Sequence, residues 1–182
     1  MTRTAGLVLA AGEGRRFGGP KAPHVIDGER LGDRAVRVLR EGGCDPVVVV
    51  LGAWIGDVPD ADVVVNDGWS EGMGSSLRLG LDQLAQHADA DIDSALVTLV
   101  DLVGLTSDAV ARLVGCDAPL AAASYDGRRG HPVRFARALW PDVAASAQGD
   151  AGARGYLAEL PPLLVEVGDV ATGDDLDEVP PR

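Results

Sequence analysis

The run AGLVLAAGEGRRFGGPK, residues 5–21, decides how the rest of the chain is read. Its first half, Ala5 to Ala10, is apolar without interruption, the pattern of a strand buried on both faces of a parallel sheet. Its second half, Leu9 to Lys21, holds four glycines (12, 14, 18 and 19) and three cations (Arg15, Arg16 and Lys21) in thirteen residues. Glycines let a backbone bend sharply and approach an anion, so several N–H groups can point at phosphate oxygens while mobile cations add charge. A solvated surface turn is the plain alternative. A loop that follows a buried strand, however, sits where α/β sheets hold their ligands.

Outward from this run, strands and helices alternate. Leu31 to Glu41 places Leu31, Ala35, Val38 and Leu39 at helical spacing ahead of the stop Gly42-Gly43, and Pro46 to Leu51 is strand-like. Asp62 to Asn66 predicts a strand, and Ser75 to His87 a helix with Leu77, Leu81, Leu84 and Ala85 on one stripe. Ala95 to Val100 is a strand ending at Asp101, after which Ser107 can cap a helix carrying Val110, Leu113 and Val114. Leu120 to Ser124 and Val133 to Phe135 flank a charged turn, Tyr125 to His131; Gly152 to Leu160 is helical, and Leu163 to Val167 closes the strands. This order predicts a three-layer α/β/α sandwich on a mostly parallel sheet, Rossmann-like, with its crevice at the strand C-termini. At 182 residues, one domain over 1–182 is expected. The acidic end from Asp174 to Arg182 reads as a frayed tail.

A composition of 46% hydrophobic and 24% charged residues is that of an ordinary globular protein. The net charge of −12 argues against a nucleic-acid or anionic-membrane surface. It leaves small anions open, because exposed charges are screened over about 8–10 Å in physiological salt and a few contact cations decide phosphate binding. The apolar run at the N-terminus is too short for a membrane span and lacks a signal-peptide layout. Cys44 and Cys116 have no CxxC partner, and a cytoplasmic location is expected.

Two familiar phosphate loops fit poorly. Walker A needs Gly-Lys-Ser/Thr, whereas Lys21 stands between Pro20 and Ala22. The dinucleotide fingerprint needs a glycine where Phe17 stands and an acid at the end of strand two, where the chain reads Val50-Leu51-Gly52.

A third loop fits. LAAGEGRRFGGPK closely resembles LAAGxGxRxGxxK, the signature of the nucleotidyltransferase superfamily, and within it the molybdenum cofactor nucleotidyltransferases (MobA/MocA-like), whose fold is of the nucleotide-diphospho-sugar transferase type. The resemblance implies that Leu9, Ala10, Ala11, Gly12, Glu13, Gly14, Arg15, Arg16 and Lys21 bind the nucleotide. Arg16 and Lys21 would neutralise charge during transfer. Asn66-Asp-Gly-Trp-Ser-Glu-Gly-Met-Gly-Ser-Ser-Leu77 is similar to the NxxWxxGMxSSL stretch of the cytidylyltransferase-like branch, which implies that Gly74, Ser75 and Ser76 contact the nucleotide. The serines also suit helix caps.

Asp101 matches the family's Mg²⁺ ligand, although Asp101-Leu102-Val103 stands where relatives have Asp-x-Pro. Arg128-Arg-Gly-His-Pro-Val-Arg-Phe135 resembles RGHPVxF, and Gly149-Asp-Ala-Gly-Ala-Arg154 resembles GDxGAR. These imply acceptor contacts by Arg129, His131, Asp150 and Arg154. Asp175-Leu-Asp-Glu-Val-Pro180 is similar to DIDTPED, which makes Asp177 a second metal ligand or, equally, part of an acidic tail.

The function so implied is Mg²⁺-dependent nucleotidyl transfer, with Mn²⁺ an alternative ion, from CTP in preference to GTP onto a molybdopterin-type acceptor. A molybdoenzyme or its chaperone is a further partner. The alternatives are a non-catalytic nucleotide-binding accessory protein and a sugar-1-phosphate nucleotidyltransferase.

Overall fold

The computed structural model describes residues 3–88 and 91–176. Its strands are β1 (Arg3–Leu9), β2 (Val25–Ile26), β3 (Glu29–Arg30), β4 (Val47–Leu51), β5 (Asp62–Val65), β6 (Ile92–Leu99), β7 (Leu120–Tyr125), β8 (Arg128–Ala136) and β9 (Leu163–Glu166). The α-helices are α1 (Leu31–Glu41), α2 (Met73–Ala85), α3 (Ser107–Val114), α4 (Trp140–Ser146) and α5 (Arg154–Glu159). Among the described residues seven strands form one sheet in the order β5-β4-β1-β6-β8-β7-β9, and β2 pairs with β3 in a small separate ribbon. Strands β5, β4, β1 and β6 run parallel, β8 is antiparallel to both its neighbours, and β9 is parallel to β7.

Strand β1 lies inside the sheet between β4 and β6, and its side chains feed both faces. Val8 joins a core with Leu31, Val36 and Leu39 of α1 and Val110 and Leu113 of α3. Ala5, Leu7 and Leu9 join the opposite core with Leu77, Leu81 and Leu84 of α2, Trp140 and Val143 of α4 and Leu157 of α5. These are the three expected layers. A Cβ on Gly80 would stand 2.5 Å from Leu7 Cδ1, so this glycine lets α2 settle directly on β1.

Several local expectations are corrected. Helix α2 begins at Met73 with Gly72 at its N-cap, so Ser75 and Ser76 lie buried inside its first turn and cap nothing. The cap of α3 is Thr106, whose hydroxyl accepts from Ala109 N, and not Ser107. The charged turn shrinks to Asp126-Gly127, both at positive φ, and Arg128 to His131 continue as strand. Helix α4 went unread because it is short and Pro141 in its first turn resembles a breaker, although a first-turn proline is compatible with a helix. The segment Asp174 to Leu176 is not frayed: Leu176 N donates to Asp101 O at 3.1 Å and the leucine packs on the core. Asp177 lies outside the described residues.

Candidate active site

At the end of β1 the chain turns into the glycine loop. Ala10 N donates to Val50 O and Ala53 N to Ala11 O, which tie the loop's root to β4. Gly14 has φ +63, and both Gly18 N and Gly19 N donate to its carbonyl (2.8 and 3.1 Å), closing residues 14–19 into a tight turn. A Cβ at Gly14 would stand 1.9 Å from Gly19 O, so the turn admits no side chain there. Phe17 is buried beneath the turn with its ring edge-on to His24 at 4.7 Å, and Arg15 is paired with Glu13.

Opposite the loop stands the segment from Asn66 into α2. Gly52 at the end of β4 has no room for a side chain, since its Cβ would lie 2.6 Å from Trp69 Cβ and 2.8 Å from Ala11 O. Between loop and segment is a cavity of about 370 Å³ lined by Leu9, Ala11, Gly12, Glu13, Gly14, Arg15, Trp69, Ser70, Gly72, Met73, Ser76 and Asp150.

A second cavity, about 430 Å³, adjoins it. Its walls are apolar (Leu77, Val97, Leu99, Leu102, Val133, Phe135 and Leu157), and Arg129, His131, Arg154 and Asp175 supply its polar groups. Leu9, Met73 and Asp150 line both cavities and mark where they meet. Arg129 Nη1 donates to Leu157 O at 3.2 Å, joining β8 to α5 across the second cavity. The His131 imidazole is pushed below its ordinary 6.5, first by burial and further by Arg129, with the Val97 backbone and Asp101 acting in the opposite sense. Its Nδ1 is sealed from solvent without a partner among the described residues, and Tyr125 Oη donates to its carbonyl at 2.7 Å.

Most of the residues singled out in the sequence converge here. Leu9, Ala11, Gly12, Glu13, Gly14, Arg15 and Ser76 share the first cavity; Arg129, His131 and Arg154 share the second; Asp150 borders both. Others stand apart from these two cavities. Ala10 faces the core, and Gly74 abuts Ala147 and Gln148. Ser75 is turned to Gly68 O and Gly72 O, while Arg16 is exposed. Lys21 Nζ and Asp101 Oδ2 are 2.6 Å apart, both side chains largely buried. Sequence reasoning passed over Asp175 and the apolar wall. The signal for Asp175 was its position in the same DLDEVP element that drew attention to Asp177.

Among the described residues no group of three or more His, Cys, Asp or Glu side chains is arranged to hold a metal. Asp101 supplies a single carboxylate at the end of β6. That suits a hard cation which takes its remaining ligands from phosphates and water, as Mg²⁺ does, and does not suit a preformed cage.

The chain is 40% identical over 192 aligned residues, 96% of its length and 92% of the relative's, to the nicotine blue oxidoreductase of Paenarthrobacter nicotinovorans. Over 46 residues it is 59% identical to a probable molybdenum cofactor guanylyltransferase of Opitutus terrae, covering 25% of this chain and 23% of that one. The solved structure of Rv0371c from Mycobacterium tuberculosis H37Rv superposes with a TM-score of 0.78 at 25% identity, over 97% of this chain and 94% of that one. Rv0371c has also been solved in complex with manganese (TM-score 0.71, 23% identity, 91% and 88% of the two chains). The fold is thus the nucleotide-diphospho-sugar transferase type that the glycine loop led us to expect. The MobA-like NTP transferase domain matches residues 6–163, which take in the glycine loop, the Asn66 segment and every lining residue of the two cavities except Gly173 and Asp175. The chain belongs to the MobA-like NTP transferase family.

Proposed function

We propose that this protein transfers a nucleoside monophosphate from CTP or GTP to a phosphorylated acceptor of the molybdopterin type, releasing pyrophosphate. The observation that carries the reading is the pair of adjoining cavities, a glycine-loop cavity for the triphosphate and an apolar-walled one for the acceptor, which meet at Leu9, Met73 and Asp150. An acceptor phosphate oxygen attacks the α-phosphorus; the new P–O bond forms as the bond from that phosphorus to the α,β-bridging oxygen breaks, and pyrophosphate leaves with the electron pair. The acceptor phosphate is already ionised at neutral pH, so no strong general base is required. Backbone N–H groups of residues 12–14, with Arg15 in the cavity wall, hold the triphosphate, and Arg16 and Lys21, on the same loop but outside the cavity lining, would turn to it to offset the charge that develops. Ser76 contacts the nucleotide. Arg129, His131 and Arg154 orient the acceptor beside Asp150.

Asp101, with Asp177 as a second carboxylate, would hold Mg²⁺ or Mn²⁺, whose positive charge lowers the cost of charge build-up on the phosphates. The preference for CTP rests on the Ala10-Ala11-Gly12 and Gly72-Met-Gly-Ser-Ser76 segments, while the Opitutus relative's name favours GTP.

A second reading rests on one finding, that the relative matched over 96% of this chain is named an oxidoreductase. On that reading the glycine loop holds the pyrophosphate of a reduced dinucleotide and the second cavity holds the electron acceptor. The assay that separates the two offers the purified protein each of the four nucleoside triphosphates with Mg²⁺ or Mn²⁺ and a molybdopterin acceptor, following pyrophosphate, and in parallel a reduced nicotinamide dinucleotide, following its absorbance. Pyrophosphate release that requires both triphosphate and acceptor supports nucleotidyl transfer. Nucleotide binding with no pyrophosphate in any mixture favours the accessory protein, and dinucleotide oxidation alone favours the second reading.

A further inference from the structure

Asn66, directly after β5, is 6% exposed, and its side-chain amide makes three hydrogen bonds. Its Oδ1 accepts from Gly68 N at 3.0 Å. A backbone N–H can only donate, so that bond fixes which end of the amide is oxygen. Nδ2 therefore donates, to Ser75 Oγ at 2.8 Å and Ser76 Oγ at 3.0 Å, and both of its hydrogens are used.

Each serine hydroxyl has one proton to place. That of Ser75 has backbone acceptors at Gly72 O (2.8 Å) and Gly68 O (3.1 Å). That of Ser76 has none among the described residues, and Ser76, 4% exposed, lines the first cavity. A hydroxyl that already accepts a bond is also the better donor, because hydrogen bonds in a chain polarise one another. The arrangement thus leaves one O–H at the cavity wall with a preset polarity.

We infer that Asn66 is a positioning residue that turns the Ser76 hydroxyl into a donor toward the bound nucleotide, so the ligand atom that meets it is an acceptor such as a carbonyl oxygen, a ring nitrogen or a phosphate oxygen. This rests on the reading of the first cavity as the nucleotide site. Asn66 acts through Ser76 and does not itself line the cavity. The same amide holds the Trp69–Glu71 turn through Gly68, which separates its structural role from its electronic one.

The test uses Asn66→Asp, which keeps the size and the acceptor for Gly68 N but replaces both donors with acceptors that draw the serine protons away from the cavity. Affinity for the best-bound of the four nucleoside triphosphates, measured by calorimetry with melting temperature recorded alongside, is expected to fall about tenfold in Asn66→Asp and about tenfold in Ser76→Ala. The double variant should bind no more than about twofold more weakly than either single one, because both lose the same bond. Additive losses, or wild-type affinity in Asn66→Asp, overturn the inference. Should Asn66→Asp fail to fold, the Asn66 side-chain amide signals in ¹⁵N spectra take its place: they shift on nucleotide addition in the wild type and hold still in Ser76→Ala, and no shift in the wild type overturns the inference. A wild-type protein that binds none of the four triphosphates would instead overturn the nucleotide reading of the cavity.

Discussion

Lys21 Nζ donates to Asp101 Oδ2 at 2.6 Å, so the sole lysine of the chain, at the end of the glycine loop, is clasped to the carboxylate at the end of β6. Both side chains keep less than a fifth of their surface in solvent (16% and 17%), enough burial for the pair to matter to the fold. A free loop cation would have contributed almost nothing. Removing either partner strands the other at a largely buried position, so Lys21→Ala and Asp101→Asn should each lower stability by about 1–2 kcal/mol. Urea unfolding of the singles and the double variant checks this. The double variant should be less destabilised than the sum of the singles, and strict additivity would show that the pair is not coupled.

The same pair bears on the proposed metal site. Asp101→Asn removes the charge a hard cation requires, so in the pyrophosphate assay its Mg²⁺ titration should move to higher concentration and its rate should fall by orders of magnitude. Coincident titrations of variant and wild type would remove Asp101 from the metal site.

Gly14 tests the proposed phosphate-binding role of the glycine loop. At φ +63 with Gly19 O only 1.9 Å from where a Cβ would sit, Gly14→Ala must open the 14–19 turn. The turn is at the surface, so the global cost should stay within about 1–3 kcal/mol. Triphosphate affinity should fall at least tenfold, as backbone N–H groups lose their common aim. Calorimetry beside a melting curve separates the two effects, and intact affinity in a folded Gly14→Ala protein would contradict the loop's role.

Arg129 tests the division between the cavities. It lines only the second of the two, where it is held against Leu157 O. Arg129→Gln should raise KM for the acceptor about tenfold, the effect of losing a charge-assisted bond, and leave nucleotide affinity unchanged. A loss confined to nucleotide binding would reverse the assignment of the cavities.

Glu166 gives a pH prediction away from the site. Its carboxylate accepts from Ser124 Oγ, Gly127 N, Asp126 N and Gly168 N, which hold it at about 2 against an ordinary 4.5. A carboxyl depressed in the folded state stabilises fully above its unfolded value and loses that contribution as pH falls from about 4.5 toward about 2. Wild type should therefore melt above Glu166→Gln at pH 6, with the gap closing through this window. A gap that does not depend on pH would mean the carboxylate's charge is not what secures the β7–β8 turn.

What the sequence disclosed follows the range of the forces involved. Uninterrupted apolar runs such as Ala5–Ala10 and Pro46–Leu51 announce strands buried on both faces, and Leu31–Glu41 carries its own stop at Gly42, so β1, β4 and α1 were legible within a residue or two. Antiparallel pairing was not, because β8 runs through Arg128 to His131, residues that read as a charged turn and are strand only because β7 supplies their ladder. In the site the loop was visible through its glycines. The Lys21–Asp101 clasp spans 80 residues and leaves no local trace, whereas Asn66 and Ser76 stand ten residues apart within one motif, which displays both residues but not the bond between them.

The most direct measurement of the central claim follows a label. Incubated with Mg²⁺ and a molybdopterin acceptor, nucleoside triphosphate labelled at the α-phosphorus should pass its label to the acceptor, while label at the γ-position should appear only in pyrophosphate. Transfer of the γ-label to the acceptor, or no transfer of the α-label with any of the four nucleotides, would contradict nucleotidyl transfer as this protein's reaction.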